Sequence, residues 1–392
     1  MNNRITEKIH ENSSENGMYY KKLADKYRIA KFLILILLAF FIVFAVLFGN
    51  GSMRGVHFRY LVKYMNVNPA TLDKRYEDIA YAVGGGSSFA LYHDDLAVLG
   101  EGKMTLYDLA GDLQYRADLE KGNPAVHSDG KYLAAYVPGG ETLTLFHSFG
   151  KAETLSFSCS IAKACVSKTG SLAVCLKSQK GTEICFVDSD FKTQQILESS
   201  GGIVIDMAIS DDGRTLSVLS LVGADGAYYT RYDFWNLKKG ELLQNEAFHG
   251  RKPLATGFFE NGRSFILLDR AICFCSQNGE IAETIALAAE PLTYYVDQNS
   301  LLLLTSQGDV LLYQSNGKQR LSLSAGESIL DAKVHEDAIY LLSESQISIY
   351  DFDGEPIAAK PISSGALAFY ILDDKSILLC YASETKRVCP TE

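Results

Sequence analysis

The stretch ISDDGRTLSVLSL, residues 209–221, consists of an apolar run, an Asp-Asp-Gly turn and a second apolar run. Nearly the same phrase recurs as VHSDGKYLAAYV at 126–137, VSKTGSLAVCL at 166–176 and FFENGRSFILL at 258–268. A short polar turn with glycine between two apolar runs is typical of a β-hairpin. Because the phrase returns at intervals of roughly 40 residues, it predicts a repeated architecture rather than a single catalytic loop.

A second hairpin signal lies between these phrases. An apolar run leads into a glycine turn in MTLYDLAGDLQYRADL at 104–119, in VLLYQSNGKQRLSL at 310–323 and in ISIYDFDGEPIAAKPI at 347–362. The two hairpins together predict four strands per unit. One such sheet cannot bury both of its faces, whereas units arranged around an axis can, so the pattern predicts an all-β propeller.

The number of blades follows from the candidate innermost strands. The last unit offers only three strands, and the segment YEDIAYAV at 76–83 is predicted to supply the fourth. Closing the ring with strands from both ends of the domain removes the exposed sheet edge. We therefore favour eight blades over seven. The innermost strands are expected to begin near Phe89, Pro124, Ala164, Asp206, Ala255, Leu292, Leu330 and Ala366.

Two of the repeated phrases resemble those of known families. HSDGKYLA at 127–134 and SDDGRTLS at 210–217 are similar to the S-x-D-G-[KR]-x-L phrase of WD40-like, TolB-like and quinoprotein-like propellers. LYDLAGDL at 106–113 resembles their strand-turn-strand repeat. The resemblance covers roughly residues 78–392. It implies the propeller architecture and says almost nothing about function.

An apolar segment precedes the repeats. FLILILLAFFIVFAVLF at 32–48 contains 17 consecutive apolar residues, which form about 26 Å of helix. It predicts an uncleaved transmembrane signal anchor; a cleaved signal peptide and a buried soluble helix are the alternatives. Residues 1–31 carry a net charge of about +3, so we expect a cytoplasmic tail there. Residues 49–77 are predicted to be a partly helical linker, and residues 78–392 the extracytoplasmic propeller.

The chain contains few features typical of an enzyme. Residues 32–392 carry a net charge of −13, which disfavours nucleic acid as a partner. The serine-enzyme elements SIAK at 160–163 and KTG at 168–170 stand too close together for such a site. Trp235 is the single tryptophan, so the tryptophan repeat of quinone-binding propellers is missing. We therefore predict no catalytic residue, cofactor or metal ligand.

The eight cysteines lead to a weaker prediction. A hairpin centred near residue 170 would place Cys165 opposite Cys175, and one centred at 384–385 would place Cys380 opposite Cys389. Both pairs are predicted disulfides if the domain lies in an oxidising compartment. The alternative is that these cysteines are small buried hydrophobic residues.

These observations favour a membrane-anchored platform that binds a protein partner or an extracellular ligand and has no catalytic activity. Two alternatives remain, an envelope hydrolase that uses the propeller channel and an accessory subunit of a membrane complex. A polar cluster in the channel would favour the enzyme. An exposed apolar patch on one rim would favour partner binding.

Overall fold

The computed structural model divides the chain into two units, residues 1–62 and residues 63–392. The described residues are 31–38, 40, 77–81, 88–92, 95–100, 102–129, 132–147, 150–178, 181–198, 202–224, 226–326, 328–373 and 376–390.

In the first unit, residues 31–38 and 40 are helical. Among the described residues, no helix is both long enough and apolar enough to span a membrane. The remainder of the predicted anchor, the tail before residue 31 and the linker up to residue 76 lie outside the described residues.

The second unit forms eight four-stranded antiparallel sheets, which are the blades of a propeller. The prediction of eight blades rather than seven is confirmed, and each predicted innermost strand falls in or beside an observed one. The first strand and blades 1–4 are β1 (Ile79–Ala80); β2 (Ser88–Tyr92), β3 (Asp95–Gly100), β4 (Lys103–Asp108), β5 (Leu113–Asp118); β6 (Ala125–Ser128), β7 (Tyr132–Tyr136), β8 (Thr142–His147), β9 (Gly150–Ser156); β10 (Ser160–Val166), β11 (Leu172–Ser178), β12 (Gly181–Val187), β13 (Thr193–Glu198); and β14 (Ile203–Ile209), β15 (Thr215–Ala224), β16 (Ala227–Asn236), β17 (Glu241–His249). Blades 5–8 continue with β18 (Pro253–Phe258), β19 (Ser264–Leu268), β20 (Ala271–Cys275), β21 (Ile281–Ala286); β22 (Pro291–Asp297), β23 (Ser300–Thr305), β24 (Asp309–Gln314), β25 (Gln319–Ser324); β26 (Ile329–His335), β27 (Ala338–Ser343), β28 (Gln346–Asp351), β29 (Pro356–Pro361); and β30 (Ala368–Asp373), β31 (Ser376–Cys380), β32 (Glu384–Val388).

The hydrophobic core lies between the blades. Strands β19 and β31, the second strands of their blades, are buried at every residue because both of their faces pack against a neighbouring sheet. The outermost strands β21 and β29 are largely exposed. Core clusters therefore join residues of adjacent blades, such as Phe265 of blade 5 and Leu301 of blade 6. Each blade is stable only against its neighbours, as the sequence pattern predicts.

The repeated turn is built from local hydrogen bonds. In the segment after β14, the Ser210 hydroxyl donates to Asp212 Oδ1 at 2.7 Å and accepts from the amides of Arg214 and Thr215 at 3.2 and 3.0 Å. Gly213 has a φ of +68°, in the left-handed region that favours glycine. The Asp and Gly of the repeated phrase are thus required by the turn itself.

The ring is closed by the strand from the beginning of the domain. Blade 8 has the strand order β1-β32-β31-β30, so β1 is its outermost strand, and Ile79 pairs with Thr385. Ile79 is 2% exposed and packs in a cluster with residues of blades 1 and 8. The Tyr81 hydroxyl lies 2.5 Å from the Tyr381 carbonyl oxygen and 2.7 Å from that of Glu384. The predicted closure by residues 76–83 is therefore confirmed.

The register expected for the cysteines is wrong. Cys165 pairs with Ala173, and Cys175 pairs with Lys163, because the turn between β10 and β11 is centred on residue 169 rather than 170. Cys380 pairs with Thr385, and Cys389 lies beyond the end of β32. All eight cysteines are free. Burial is the main cause that raises the pKa of Cys165, Cys175 and Cys380 to about 12.

This burial predicts which thiols react in the folded protein. A thiol with a raised pKa is rarely present as the nucleophilic thiolate. Among the cysteines, only Cys159 and Cys389 are partly exposed. We expect iodoacetamide to modify these two in the native protein and the other six only after unfolding, as measured by peptide mass mapping. A peptide that joins Cys165 to Cys175, or Cys380 to Cys389, in non-reduced protein would contradict this expectation.

Candidate functional site

The innermost strands run side by side in the same direction, which gives the channel two different ends. Lys163 in the middle of β10 pairs with Asp206 in the middle of β14, and Lys168 in the turn after β10 pairs with Asp211 in the turn after β14. We call the end at which the innermost strands begin the strand-start face. The end that carries the turns after these strands is the turn face.

A cavity of about 390 Å³ occupies the channel between blades 2 and 6. Its lining contains apolar side chains together with a larger set of polar, charged and aromatic ones, so it offers both apolar surface and polar groups to a ligand. The polar and aromatic lining residues are His127, Ser128, Asp129, Tyr136, Lys163, Asp206, Asp211, Thr256, Phe258 and Tyr294.

An ion pair between adjacent blades lies in the wall of this cavity. The Lys163 ammonium contacts the Asp206 carboxylate, which also accepts a hydrogen bond from the Thr256 amide at 2.9 Å. The side chain of Asp206 is 9% exposed, whereas that of Lys163 is 36% exposed. The Thr256 hydroxyl donates to the carbonyl oxygen of Phe265 at 2.8 Å. Three successive blades are thus connected through polar groups that face the channel.

His127 connects blades 2 and 3. Its Nδ1 accepts a hydrogen bond from the Val166 amide at 3.2 Å, so the neutral ring carries its proton on Nε2. Burial, and then the nearby positive charge of Lys163, lowers the pKa of His127 to about 4. The histidine therefore remains neutral near pH 7 and presents an N–H donor rather than a charge.

The turn face of the channel is acidic. Lys168 Nζ lies 2.6 Å from Asp211 Oδ2 and 3.7 Å from Glu260 Oε1. Burial, and then the charge of Asp211, raises the pKa of Asp129 to about 6, although the charge and backbone amide of Lys168 act in the opposite direction. Burial likewise raises the pKa of Asp297. Within the described residues, no group of three or more potential ligands is arranged to hold a metal ion.

A second lysine lies in the channel on the opposite side of the ring. Lys333 Nζ donates to the carbonyl oxygen of Phe369, and it lies 4.5 Å from the ring centre of Tyr370 and 5.6 Å from that of Tyr295. Burial lowers the pKa of Lys333, and the charge of Asp331 partly offsets this effect. This lysine joins blades 6, 7 and 8 through cation–π contacts.

The strand-start face exposes an arc of large apolar side chains. Ile203 is 64% exposed, Leu292 64%, Leu330 49% and Leu367 57%. Leu292 and Leu330 are the unpaired residues at register shifts of β22 and β26. A bulge reorients its side chain relative to the rest of the strand, so these leucines leave the core pattern. We refer to these four residues as the apolar arc.

Blade 4 extends further on the same face. Its strands β15 and β16 contain ten residues each, whereas the corresponding strands of the other blades contain five to seven. The extra three to five residues lengthen the hairpin by about 10 Å or more. Its tip carries Tyr228, which is 43% exposed. The projecting hairpin and the apolar arc therefore lie on one rim.

Sequence reasoning missed both regions. In the sequence, Lys163 stands out only as part of the serine-enzyme match, and the leucines at 292 and 330 have the pattern of ordinary strand residues. The signal in the channel was a charged residue inside an apolar innermost strand, as in SIAKACV at 160–166 and IVIDMAI at 203–209. The four cysteines named as disulfide candidates lie in blades 3 and 8 and do not line the cavity.

Comparisons with known proteins agree with this architecture. A computationally designed protein, Ika8, is 12% identical, with a TM-score of 0.61, and the similarity covers 80% of this chain and 99% of that one. BamB from Moraxella catarrhalis is 13% identical, with a TM-score of 0.56 and coverage of 79% and 98%. Such low identity supports the fold alone.

No curated protein matches this chain. Residues 71–389, which include the whole propeller, match the family described as a family of unknown function, DUF5711. The chain belongs to this DUF5711 family.

Proposed function

We propose that this protein is a membrane-anchored, extracytoplasmic propeller that binds a protein partner through its strand-start face. The observation that carries the proposal is the apolar arc. Four large side chains, each about half exposed or more, occupy the starts of innermost strands in blades 4, 6, 7 and 8. Apolar surface gathered on one rim is a mark of interaction sites, since leaving it in water costs free energy.

The propeller fold is well suited to a binding platform. Its loops and strand ends are held on a rigid scaffold, which favours recognition. Around the apolar arc, the long hairpin of blade 4 supplies an exposed aromatic side chain, Tyr228. Tyrosine is enriched at the centres of protein interfaces.

Membrane anchoring is supported by the helical residues of the first unit. The apolar side chains of residues 32–38 and 40 are 50–73% exposed, although such side chains are normally removed from water. The lysines and arginine at 21–31 precede this segment, which supports a cytoplasmic N-terminus. The proposal places the propeller on the opposite side of the membrane.

The envelope hydrolase receives less support from the channel. Its candidate catalytic groups are engaged in structural hydrogen bonds, since His127 Nδ1 accepts the Val166 amide of the next blade and the Thr256 hydroxyl donates to Phe265 within blade 5. A general base and a nucleophile must instead lie within hydrogen-bonding reach of each other. The accessory-subunit alternative is a form of partner binding and is tested by the same experiment.

We expect the double substitution L292D/L330D to reduce capture of the partner at least tenfold. Crosslinking in native membranes, followed by mass spectrometry, measures this capture. Charges at the centre of an apolar interface must be desolvated without a partner, and a tenfold loss corresponds to about 1.4 kcal/mol. The matched control is L113D/I357D, which changes equally exposed residues on outermost strands. An equal loss of capture in both variants, or no loss in L292D/L330D, would show that the apolar arc is not the binding surface.

The orientation leads to a separate expectation. Protease added to intact cells or spheroplasts should digest the propeller and spare a tag at the N-terminus, because the membrane shields the cytoplasmic side. Permeabilised cells provide the control, in which both parts are digested. A propeller that is protected until permeabilisation would contradict the extracytoplasmic assignment, although it would leave the apolar arc as a binding surface.

A further inference from the structure

We propose that the channel cavity binds a small linear zwitterion, with its carboxylate at Lys163 and Tyr294 and its ammonium group at Asp129. The site is separate from the apolar arc and does not depend on partner binding. It lies within the cavity of about 390 Å³ between blades 2 and 6. That volume is within the usual range of small-molecule pockets, about 300–1,000 Å³.

The lining near the middle of the innermost strands presents hydrogen-bond donors. The Lys163 ammonium has three protons; it contacts Asp206 and lies 3.5 Å from the Ile205 carbonyl oxygen, which leaves one proton for a ligand, and its side chain is 36% exposed. Neutral His127 has its remaining proton on Nε2, because Nδ1 accepts the Val166 amide. Both side chains line the cavity. A carboxylate is the acceptor that best matches converging N–H donors next to an ammonium group.

Tyr294 adds a third donor. Its hydroxyl makes no hydrogen bond within the described part of the chain, and burial, followed by the charge of Asp206, raises the pKa of this tyrosine. The side chain lines the cavity, and 38% of its surface is accessible to water. A hydroxyl that lines the cavity and lacks a protein partner is free to bond to a ligand atom.

The opposite end of the cavity presents an acceptor. Asp211 is already paired with Lys168 Nζ at 2.6 Å, whereas Asp129 forms no ion pair within the described residues. Asp129 is partly buried beside the charge of Asp211, which destabilises its ionised form. A ligand ammonium group at this position would neutralise the carboxylate and remove that penalty.

The spacing of the two ends determines the class of ligand. Asp129 follows His127 by two residues, just beyond the end of β6, so the backbone positions of the acceptor and of this donor differ by about 6.6 Å along the channel. Short ω-amino acids have charged ends separated by a comparable distance. A simple amine would leave the three donors unmatched. A simple carboxylate would match them but would leave Asp129 without an ion-pair partner, with only the more distant charge and the backbone amide of Lys168 to stabilise it.

The test uses the purified full chain and isothermal titration calorimetry. The probes are the ω-amino acids from 3-aminopropanoate to 6-aminohexanoate, with butylamine, butanoate and glucose as comparison compounds. We expect saturable binding of the ω-amino acids with an optimum length within the series, at least tenfold tighter than butylamine or butanoate. Equal binding of butylamine or butanoate, binding of glucose alone, or no binding by any probe at millimolar concentration would overturn the proposal.

Matched variants locate the site. Y294F removes the hydroxyl without changing the ring, and D129N removes the charge without changing the size of the side chain. We expect each to weaken the optimal probe at least tenfold and to leave the melting temperature of the unliganded protein nearly unchanged. The controls are Y295F and D337N, which change residues outside the cavity lining. Binding that is unaffected by Y294F and D129N, or reduced equally by the controls, would place the ligand elsewhere.

Discussion

Deletion of residues 77–81 is expected to lower the melting temperature of the full chain by about 5–10 °C and to promote aggregation. The deletion removes β1, the outermost strand of blade 8, and with it the pairing of Ile79 and Ala80 to β32. It also removes the Tyr81 hydroxyl from the carbonyl oxygens of Tyr381 and Glu384. The ring would then end on an unpaired sheet edge, which is a template for intermolecular pairing.

The magnitude follows mainly from Ile79. This side chain is 2% exposed and packs with Leu96 and Val98 of blade 1 and with Cys380 of blade 8. Replacing a fully buried isoleucine with alanine costs about 2–5 kcal/mol, so I79A alone should account for much of the effect. Deleting the whole segment additionally removes the hydrogen bonds of Tyr81 and the backbone pairing with β32.

Differential scanning fluorimetry and light scattering check this expectation on purified protein. A deletion of residues 2–20 is the control, because it removes a longer segment that precedes both the apolar segment and the closing strand. We expect it to leave the melting temperature unchanged. If the two deletions have equal effects, β1 does not stabilise the ring.

The substitution D206A is expected to destabilise the fold by about 2–3 kcal/mol. It leaves the Lys163 ammonium without its carboxylate and the Thr256 amide without its acceptor. Breaking a fully buried ion pair costs about 3–5 kcal/mol, but Lys163 retains about a third of its side-chain exposure, and solvent screens part of the loss. The corresponding fall in melting temperature is about 3–5 °C for a domain of this size.

A double-mutant cycle separates the charge pair from the backbone hydrogen bond. D206N keeps an acceptor for the Thr256 amide, so it should cost less than D206A. K163M combined with D206N should cost less than the sum of the two single substitutions by about 1 kcal/mol, because the lysine is no longer left unpaired. Strict additivity in thermal or urea unfolding would mean that the pair contributes no coupling between blades 3 and 4.

The fold can be predicted from the sequence because the turns and strands that define a propeller depend on local residues and recur along the chain. The Ser-Asp-Asp-Gly phrase at 210–213 makes its hydrogen bonds within five residues, so the turn that it forms does not depend on distant parts of the chain. The closing strand was predictable for a related reason. A final unit with three strands leaves an edge unpaired, and a spare β segment at 76–83 can cover it.

The sequence-based predictions fail where a shift of one residue in strand pairing, or a contact with a neighbouring blade, determines which residues meet. The centre of the turn after β10 lies at residue 169 instead of 170, which moves Cys175 from Cys165 to Lys163. A register shift in β26 exposes Leu330, although the same residue in a regular strand would belong to the core pattern. Neither feature has a clear sequence signal, because both depend on the register in which one strand pairs with the next.

The amino-acid sequence by itself determined the repeat, the eight blades, the closure of the ring and the apolar segment at 32–48. Local turn chemistry and hydrophobic pattern are sufficient for these features. Only the tertiary structure decided that Lys163 meets Asp206, that Asp129 and Tyr294 line one cavity, and that four apolar residues share a rim. These groups are separated by about 40 to 165 residues in the chain. They come together only because the blades close around a common axis.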